Sequence, residues 1–571
     1  MDGDRAEVSR TTTPAGRLLL WGFYLLPLSF YLLLFLLPLW AILRLSFAAG
    51  LEGAVVALSE RYYWRVLGFT IWQALLSTLL TLALGLPGAY VFARYTFPGK
   101  GFLRAVAGVP FVLPTVVVAT AFGALLGPQG LLSQLLGAFG LPAPRVSTGL
   151  GLVLLAHIFY NYTIVLRLVG GFWQHLDPRL EQGATMLGAT RLQTLLRVTL
   201  PLLLPVVGAA ALLVFMFSFT SFGVIVILGG ARMATLEVEI YRQTAQLLRL
   251  DSAATLALIQ AICTLLLSLI YARLATRTAV PLELQAREIT SRRPRSLAAR
   301  LLVGLNSLLI VLLLGAPLLA LVVRSLLAAP GSAYPLTLAA YSALTENRTG
   351  SAFFVPPTSA LFNSLRIAAT TTMLALLVGI PAAYLLQSRQ KLRERPLFTT
   401  TLLDALFMLP LGISAVTLGL GYLVALNTLG LGSLRASPWL VPLLHSLVAL
   451  PFVIRALLPA LRARTPHQRE AAAMLGATPL FAWLRVELPQ LAPALATGAI
   501  FAFTVSMGEF GATLLLARPE TPTIPVMIFR FLGQPGAINY GQALAMSSIL
   551  MLTTALGFLL LERLRPPGSE F

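Results

Sequence analysis

The sequence predicts an all-α membrane protein of about 12 transmembrane helices, built as two homologous six-helix halves related by a pseudo-twofold axis along the membrane normal. Three observations carry this expectation. The composition is 57% hydrophobic and 11% charged over 571 residues, with mean hydropathy +0.85, which no water-soluble domain of ordinary composition approaches. Apolar runs of about 20 residues, the length that crosses roughly 30 Å of hydrocarbon as helix, occur twelve times. Landmarks of the first half return in the same order in the second.

In chain order the runs fall at 18–43, 67–93, 105–126, 148–170, 201–228, 252–274, 300–327, 362–387, 398–426, 438–461, 489–516 and 540–562. Stretches such as "LLLWGFYLLPLSFYLLLFLLPLW" are apolar on every side, whereas the strands of a membrane barrel alternate apolar and polar residues. The first run is too long for the core of a signal peptide and no small-residue cleavage pattern follows it, so it is expected to remain as a span.

The net charge of +20 (41 minus 21) invites a nucleic-acid reading, but its distribution opposes one. Basic residues gather at Arg94, Lys100 and Arg104, at Arg179, Arg191 and Arg197, from Arg277 to Arg300, from Arg389 to Arg395, from Arg462 to Arg485, and at Arg563 and Arg565. With twelve spans, all of these clusters lie on one side, the positive-inside pattern. Both termini, both alanine-rich stretches and the middle linker are therefore expected in the cytoplasm, and the lipid bilayer replaces nucleic acid as the partner of this surface. The single Cys263 lies mid-span, where it reads as a small core residue and not as a redox or metal group.

The repeat is explicit. "LGLPGAY" at Leu84–Tyr90 matches "VGIPAAY" at Val378–Tyr384 with an offset of 294. His157 and Arg167 match His445 and Arg455 (445 minus 157 and 455 minus 167, both 288), and "MLGATRLQTLLRVTLPLLLP" from Met186 matches "MLGATPLFAWLRVELPQLAP" from Met474 at the same 288. Six is even, so both halves enter from one side and the axis relating them runs along the membrane normal. The expected organisation is an N-terminal tail at 1–17, a first half at 18–276 with a surface loop near 178–200, a polar linker at 277–299, a second half at 300–565 with the matching loop near 465–488, and a C-terminal tail at 566–571.

Within each surface loop a helix-favouring run ends at a glycine, Gly188 or Gly476, and 13 residues later a proline, Pro201 or Pro489, opens the next span. Glycine suits the left-handed turn at a helix end, and proline is tolerated in a first turn. Two short helices at an angle are predicted on the cytoplasmic face. Their small residues, including Ala184, Ala471, Ala472 and Ala473, would let another surface come close. A lone Glu-Ala-Ala would fit an interfacial helix without a partner; two copies with intact glycine-to-proline spacing favour docking.

These residues carry a resemblance. A Glu-Ala-Ala opening, a Gly six residues after the Glu, and a Leu-Pro beyond it is similar to the EAA loop of type I ABC importer permeases. The second copy keeps Glu470, Ala471, Ala472, Gly476, Leu488 and Pro489; the first is degenerate, with Gln182 and Gly183 in place of Glu and Ala, and keeps Ala184, Gly188, Leu200 and Pro201. Glu181, next door, is a candidate substitute for the missing acid. The resemblance implies that each loop is a coupling helix docking on one of two cytoplasmic ATPase subunits, which would bind ATP and magnesium. It further implies an extracytoplasmic substrate-binding protein, residence in the bacterial inner membrane, and no covalent chemistry, catalytic residue, cofactor or metal in this chain. "PGKGF" at Pro98–Phe102 lacks the upstream Gly and following Ser or Thr of a phosphate loop.

The fused two-half form resembles ferric-iron and thiamine importer permeases, through "ILGGARMATLEVEIYRQ" in the first half and "GEFGATLLLARPETPTIPVMIFRF" in the second. The alternative is an ion-coupled secondary transporter with an internal parallel repeat.

Ionisable groups inside spans are expensive and ask for a reason. Glu509 lies in the eleventh span, and its counterpart (509 minus 288) is Ser221. With their neighbours Phe222 and Phe510 they are the pathway and gating candidates, Glu509 facing a cationic cargo or serving as a hydrogen-bonded structural group. His157 and His445 are expected to pack with satisfied hydrogen bonds, Tyr160, Asn161 and Tyr162 being possible partners of the first. Asp404 is expected to pair with an arginine. Pro87, Pro381, Pro114 and Pro410 are expected to kink spans, and the outward loop Ala328–Ser359 is long enough to touch a receptor.

Overall fold

The computed structural model describes residues 14–47, 59–142, 148–230, 233–278, 292–327, 336–346, 356–391, 403, 406–464 and 467–564. Among the described residues, twelve apolar helices follow in order: α1 Gly22–Ser46, α2 Arg61–Arg94, α3 Thr115–Ala138, α4 Leu150–His175, α5 Leu192–Phe219, α6 Leu250–Leu274, α7 Leu297–Leu326, α8 Pro357–Gln387, α9 Ala415–Thr428, α10 Leu440–Arg462, α11 Leu480–Gly508 and α12 Ala537–Leu560. Eleven are long and apolar enough to cross a membrane; α9 is a shorter apolar helix.

Helix α9 stands where a span over 398–426 was expected. A 3₁₀ turn at Leu409–Leu411 precedes it, and the Ser414 hydroxyl accepts the amides of Val416 and Thr417, so a new helix starts at Ala415. The first half repeats the device: a 3₁₀ turn at Val109–Val112 precedes Pro114, the N-cap of the Thr115–Leu126 segment of α3. Pro114 and Pro410 therefore kink no helix. Pro410 corresponds to Pro110, each the second residue of its 3₁₀ turn, whereas Pro87 and Pro381 do lie inside α2 and α8. Asp404 and most of the loop Ala328–Ser359 fall outside the described residues.

Each half is organised around three mutually packed helices, α2 with α4 and α5, and α8 with α10 and α11. The repeated "LGLPGAY" motif serves this packing. A Cβ on Gly85 would lie 2.8 Å from Val165 Cβ, and one on its counterpart Gly379 would lie 2.6 Å from Val453 Cγ1, so both helix pairs approach as only glycine permits.

The first helix of each half crosses to the other half. The Leu37–Ser46 segment of α1 packs on α9, and the Ala316–Leu326 segment of α7 packs on the Thr115–Leu126 segment of α3. Polar contacts seal both exchanges. Tyr422 Oη donates to the Leu34 carbonyl at 2.9 Å, and Asn306 Nδ2 donates to Tyr162 Oη at 2.9 Å.

A recurring π turn explains one of these contacts. Wide turns at Leu32–Leu36, Leu195–Thr199, Val311–Gly315 and Trp483–Glu487 each end two residues before a proline, namely Pro38, Pro201, Pro317 and Pro489. Proline offers no amide to the carbonyl four residues back and its ring would strike it; widening the turn relieves the clash. For Pro38 the orphaned carbonyl is that of Leu34, which is the one Tyr422 takes.

The same turns correct the expectation of a separate second short helix in each surface loop. Residues Arg191–Phe219 and Pro479–Gly508 are continuous helical runs through the π turn and the proline. The linker's end, Arg292, is bonded to the end of α2: its amide donates to the Arg94 carbonyl at 2.9 Å and its carbonyl accepts from Thr96 at 3.0 Å. Linker residues 279–291 lie outside the described residues.

Candidate functional site

Two sites emerge, one at the end of the bundle where the surface loops lie and one at its centre. At the first, the short helices Pro178–Met186 and His467–Met474 follow α4 and α10. Six crossings separate them, so they emerge on one side. Both end identically. Gly188 and Gly476 have φ of +84° and +82°, and the amides of Ala189 and Ala477 reach back to the carbonyls of Ala184 and Ala472 at 3.0 Å each. This is the Schellman closure that the glycine spacing predicts.

What these turns present is unusual for a polar surface. Met186 and Leu187 are each 90% exposed, and Met474 and Leu475 each 89%. Two identical Met-Leu tips are held out at matching positions of the two halves, a pattern that marks an interaction surface. Gln182 and Gly183 are exposed in the first copy, and Glu470, Ala471 and Gly476 in the second. Glu470 stays on the surface, 3.5 Å from His467 Nδ1.

Glu181, the candidate substitute acid, forms an ion pair within the chain. Its Oε1 lies 2.7 Å from Nη2 of buried Arg94 and accepts from Thr199 Oγ1 at 3.1 Å. It fastens the short helix to α2 and α5 and does not face outward. In the second half an ion pair ties the approach to the short helix to α11 and α8: Glu487 Oε2 lies 2.7 Å from Arg464 Nη2, and Tyr384 Oη bridges to both. The second copy uses another position for its anchor, so a residue-by-residue repeat reading does not locate it.

The central site is a cavity of about 340 Å³, within the range of small-molecule sites. Its walls come from four chain breaks and one continuous helix: Thr115 and Ser414–Val416 at the starts of α3 and α9, Thr220–Val224 and Gly508–Gly511 just beyond α5 and α11, and His157, Tyr160, Asn161 and Ile164 on α4. All four pathway candidates, Ser221, Phe222, Glu509 and Phe510, line it. Breaks of helical backbone in a membrane protein are tolerated where they border a cavity.

Phe222 and Phe510, equivalent at the 288 offset (510 minus 222), stack with centroids 5.6 Å apart and planes at 25°. Only residues on the pseudo-axis can touch their own counterparts. Tyr241 packs on Phe222 and Phe529 on Phe510, each at 5.4 Å and 60°, and 529 minus 241 is again 288. A four-ring ladder therefore spans the axis. Gly223 helps make room for it, since a Cβ there would lie 3.2 Å from Phe510.

Glu509 is engaged on every side. Its Oε1 accepts from the Ala512 amide at 2.9 Å, its Oε2 from the Thr513 amide at 3.0 Å and from the Thr513 hydroxyl, and His445 Nε2 lies 3.1 Å away. His445 Nδ1 contacts Ser506 Oγ at 2.9 Å. The geometry favours the structural reading of this carboxylate: it caps the Gly511–Leu516 turn and lies against the buried His445 ring. His157 is also paired, but through Nδ1 to Ser77 Oγ at 2.9 Å. Tyr160 and Asn161 instead bond to Leu113 and Ser218, and Tyr162 accepts from Asn306.

Sequence reasoning missed two fully buried acids, Glu237 and Glu239. Glu237 accepts from Gln260 and, at 2.6 Å, from Ser414 Oγ, tying the first half to the second at the cavity wall. Glu239 accepts from Tyr62 Oη at 2.9 Å and Gln243 Nε2 at 2.6 Å. The available signal was a pair of acids two apart in "LEVEIY", carboxylates where the flanking residues are apolar. Among the described residues no group of three or more His, Cys, Asp or Glu is placed to hold a metal ion.

A duplicated helical bundle with a central cavity, closed on its axis by paired rings and carrying matched tips at one end, defines a membrane transport permease. Residues 82–280 match the family of binding-protein-dependent transport system inner membrane components. This match, with similarity to such permeases over most of the chain, supports an ABC importer inner-membrane permease in fused, two-half form, a multi-pass inner-membrane transport component. It is similar to the thiamine transport system permease protein ThiP of Escherichia coli (strain K12), with 29% identity over 93% of this chain and 94% of that protein. It is also similar to the ThiP of Brucella abortus (strain 2308), 26% identical over 86% and 87% of the two chains. The probable ABC transporter permease protein y4fN of Sinorhizobium fredii is 27% identical over 93% of each.

Proposed function

We propose that this chain is the translocating subunit of an ATP-driven importer of thiamine that works by alternating access. Two cytoplasmic ATPase subunits dock on the helices Pro178–Met186 and His467–Met474, and these subunits bind ATP and magnesium. An extracytoplasmic binding protein delivers the cargo. Both termini and the linker face the cytoplasm, in keeping with the basic clusters.

The observation that carries the ATP-driven reading is the pair of exposed Met-Leu tips with matching left-handed glycine turns. An ion-coupled carrier has no need of two such docking elements. ATP binding closes the partner dimer, the tips move together, and the helices turn with them, the first tip through Arg94–Glu181 and the second through the segment that Arg464–Glu487 ties to α11. The axial stack of Phe222 and Phe510 separates when the route opens.

Thiamine is favoured over ferric iron because several relatives carry that cargo in their names. The test is uptake of labelled thiamine into proteoliposomes containing this chain with its ATPase and binding protein. ATP-dependent accumulation is expected; accumulation driven by an ion gradient without the ATPase overturns the reading.

A further inference from the structure

Two seams between the halves are related to each other by the repeat. Across one, the first-half helix Leu236–Tyr241 packs on α9; across the other, the second-half helix Ile524–Leu532 packs on the Thr115–Leu126 segment of α3. The two short helices align at the 288 offset, from Leu236 with Ile524 to Tyr241 with Phe529 (524 minus 236 and 529 minus 241). Each is fastened to its own half in the same way: the Leu236 amide donates to Thr70 Oγ1 at 3.0 Å, and the Ile524 amide to Ser364 Oγ at 2.9 Å.

The seams themselves differ. Glu237, 0% exposed, accepts from Ser414 Oγ at 2.6 Å across the first seam and from Gln260 Nε2 within its own half. Ser414 in turn accepts the amides of Val416 and Thr417, so a continuous set of hydrogen bonds runs from α6 through Glu237 to the start of α9. All three side chains are replaced in the second seam. Pro525 stands for Glu237 and Ser548 for Gln260 (525 minus 237 and 548 minus 260, both 288), and Pro114 stands for Ser414, each being the N-cap of the helix that follows a 3₁₀ turn. The two prolines are buried and have no side-chain donor or acceptor. Ser548 Oγ, also buried, has no hydrogen-bond partner among the described residues.

Parting either seam exposes apolar side chains, but parting the first also strips a buried carboxyl of the hydroxyl that donates to it. An unmade bond to such a group is expensive, and the proline seam has none to lose. We propose that the halves stay joined at the Glu237–Ser414 seam during transport and part at the Pro525–Pro114 seam, so that the route opens on one side and Glu237 is the positioning residue that decides which. The helix Leu236–Tyr241 then moves with α9 of the opposite half. This rests on the alternating-access reading above.

The test uses the complete permease–ATPase complex in nanodiscs, in a Cys263→Ala background that removes the native thiol, with ATP hydrolysis as the readout of the conformational cycle. One protein carries Glu237→Cys with Ser414→Cys and the other Pro525→Cys with Pro114→Cys. Each is bridged by a short, reducible bifunctional thiol reagent, with the bridge verified by intact mass, and is compared with itself before bridging. Bridging the first seam is expected to change the rate by less than about twofold, and bridging the second to lower it by about tenfold or more, with recovery on reduction. Equal slowing of both proteins, or an unslowed second protein, overturns the proposal; the second result does so even where the first protein fails to assemble. Thiamine accumulation by the unbridged wild type is scored separately, and its absence overturns the cargo reading while hydrolysis still judges the seams.

Discussion

Phe222 stacks on Phe510, its own counterpart in the other half, with ring planes 25° apart. The contact puts the pseudo-axis between two side chains and makes the closure of the route a property of both halves at once. Replacing either ring by alanine is expected to cost about 3–5 kcal/mol of packing and to let small solutes leak through reconstituted complexes. A double-mutant cycle should return a coupling of about 0.5–1.5 kcal/mol, measured by thermal unfolding in detergent. Additive effects would place the rings apart.

Gly85 and Gly379 set the spacing of α2 on α4 and of α8 on α10. Gly85→Val should sharply reduce the yield of folded protein, and adding Val165→Ala should restore a good part of it, because the clash is with Val165. Detergent-solubilised yield by size exclusion measures both.

The acids of the surface helices should separate by role. Glu181→Gln and Glu487→Gln each leave a largely buried arginine without its carboxylate, so both should lower stability, by about 1–3 kcal/mol, and weaken ATP-dependent uptake. Glu470→Ala touches an exposed side chain and should change stability by less than about 0.5 kcal/mol. Co-purification of the ATPase should nevertheless fall.

At Gly188 and Gly476 the backbone is left-handed, a conformation that costs a branched residue about 1–2 kcal/mol. Gly476→Val should keep the fold and uncouple ATP hydrolysis from uptake, as read by the ratio of the two rates. Unchanged coupling would remove this turn from energy transfer.

Tyr422→Phe should cost about 1 kcal/mol by leaving the Leu34 carbonyl unpaired. In a Pro38→Ala background the helix supplies its own amide to that carbonyl, so the same substitution should cost much less. Equal costs in both backgrounds would refute the proline explanation.

The helices and their duplication were legible because apolar length and repeated landmarks follow directly from crossing lipid twice with one unit. The glycine turns were legible too, since φ near +80° at Gly188 and Gly476 is a demand that sequence spacing records. The ninth span was misjudged because continuous hydrophobicity does not reveal that Ser414 caps a fresh helix. The partners of Glu181 and His157 were invisible for another reason. Arg94 and Ser77 lie 87 and 80 residues away, and no local pattern encodes them.

The reciprocal crossing of α1 and α7 bears on how the chain is made. Leu34 emerges from the ribosome early, yet the hydroxyl that satisfies its carbonyl belongs to a residue 388 positions later. Helix α1 must therefore wait in the bilayer, its partner-facing side covered only by lipid, until most of the second half has been synthesised and inserted. Assembly of this permease is completed from its C-terminal half, and a chain truncated within the linker would leave its earliest segment without the neighbour it was built to meet.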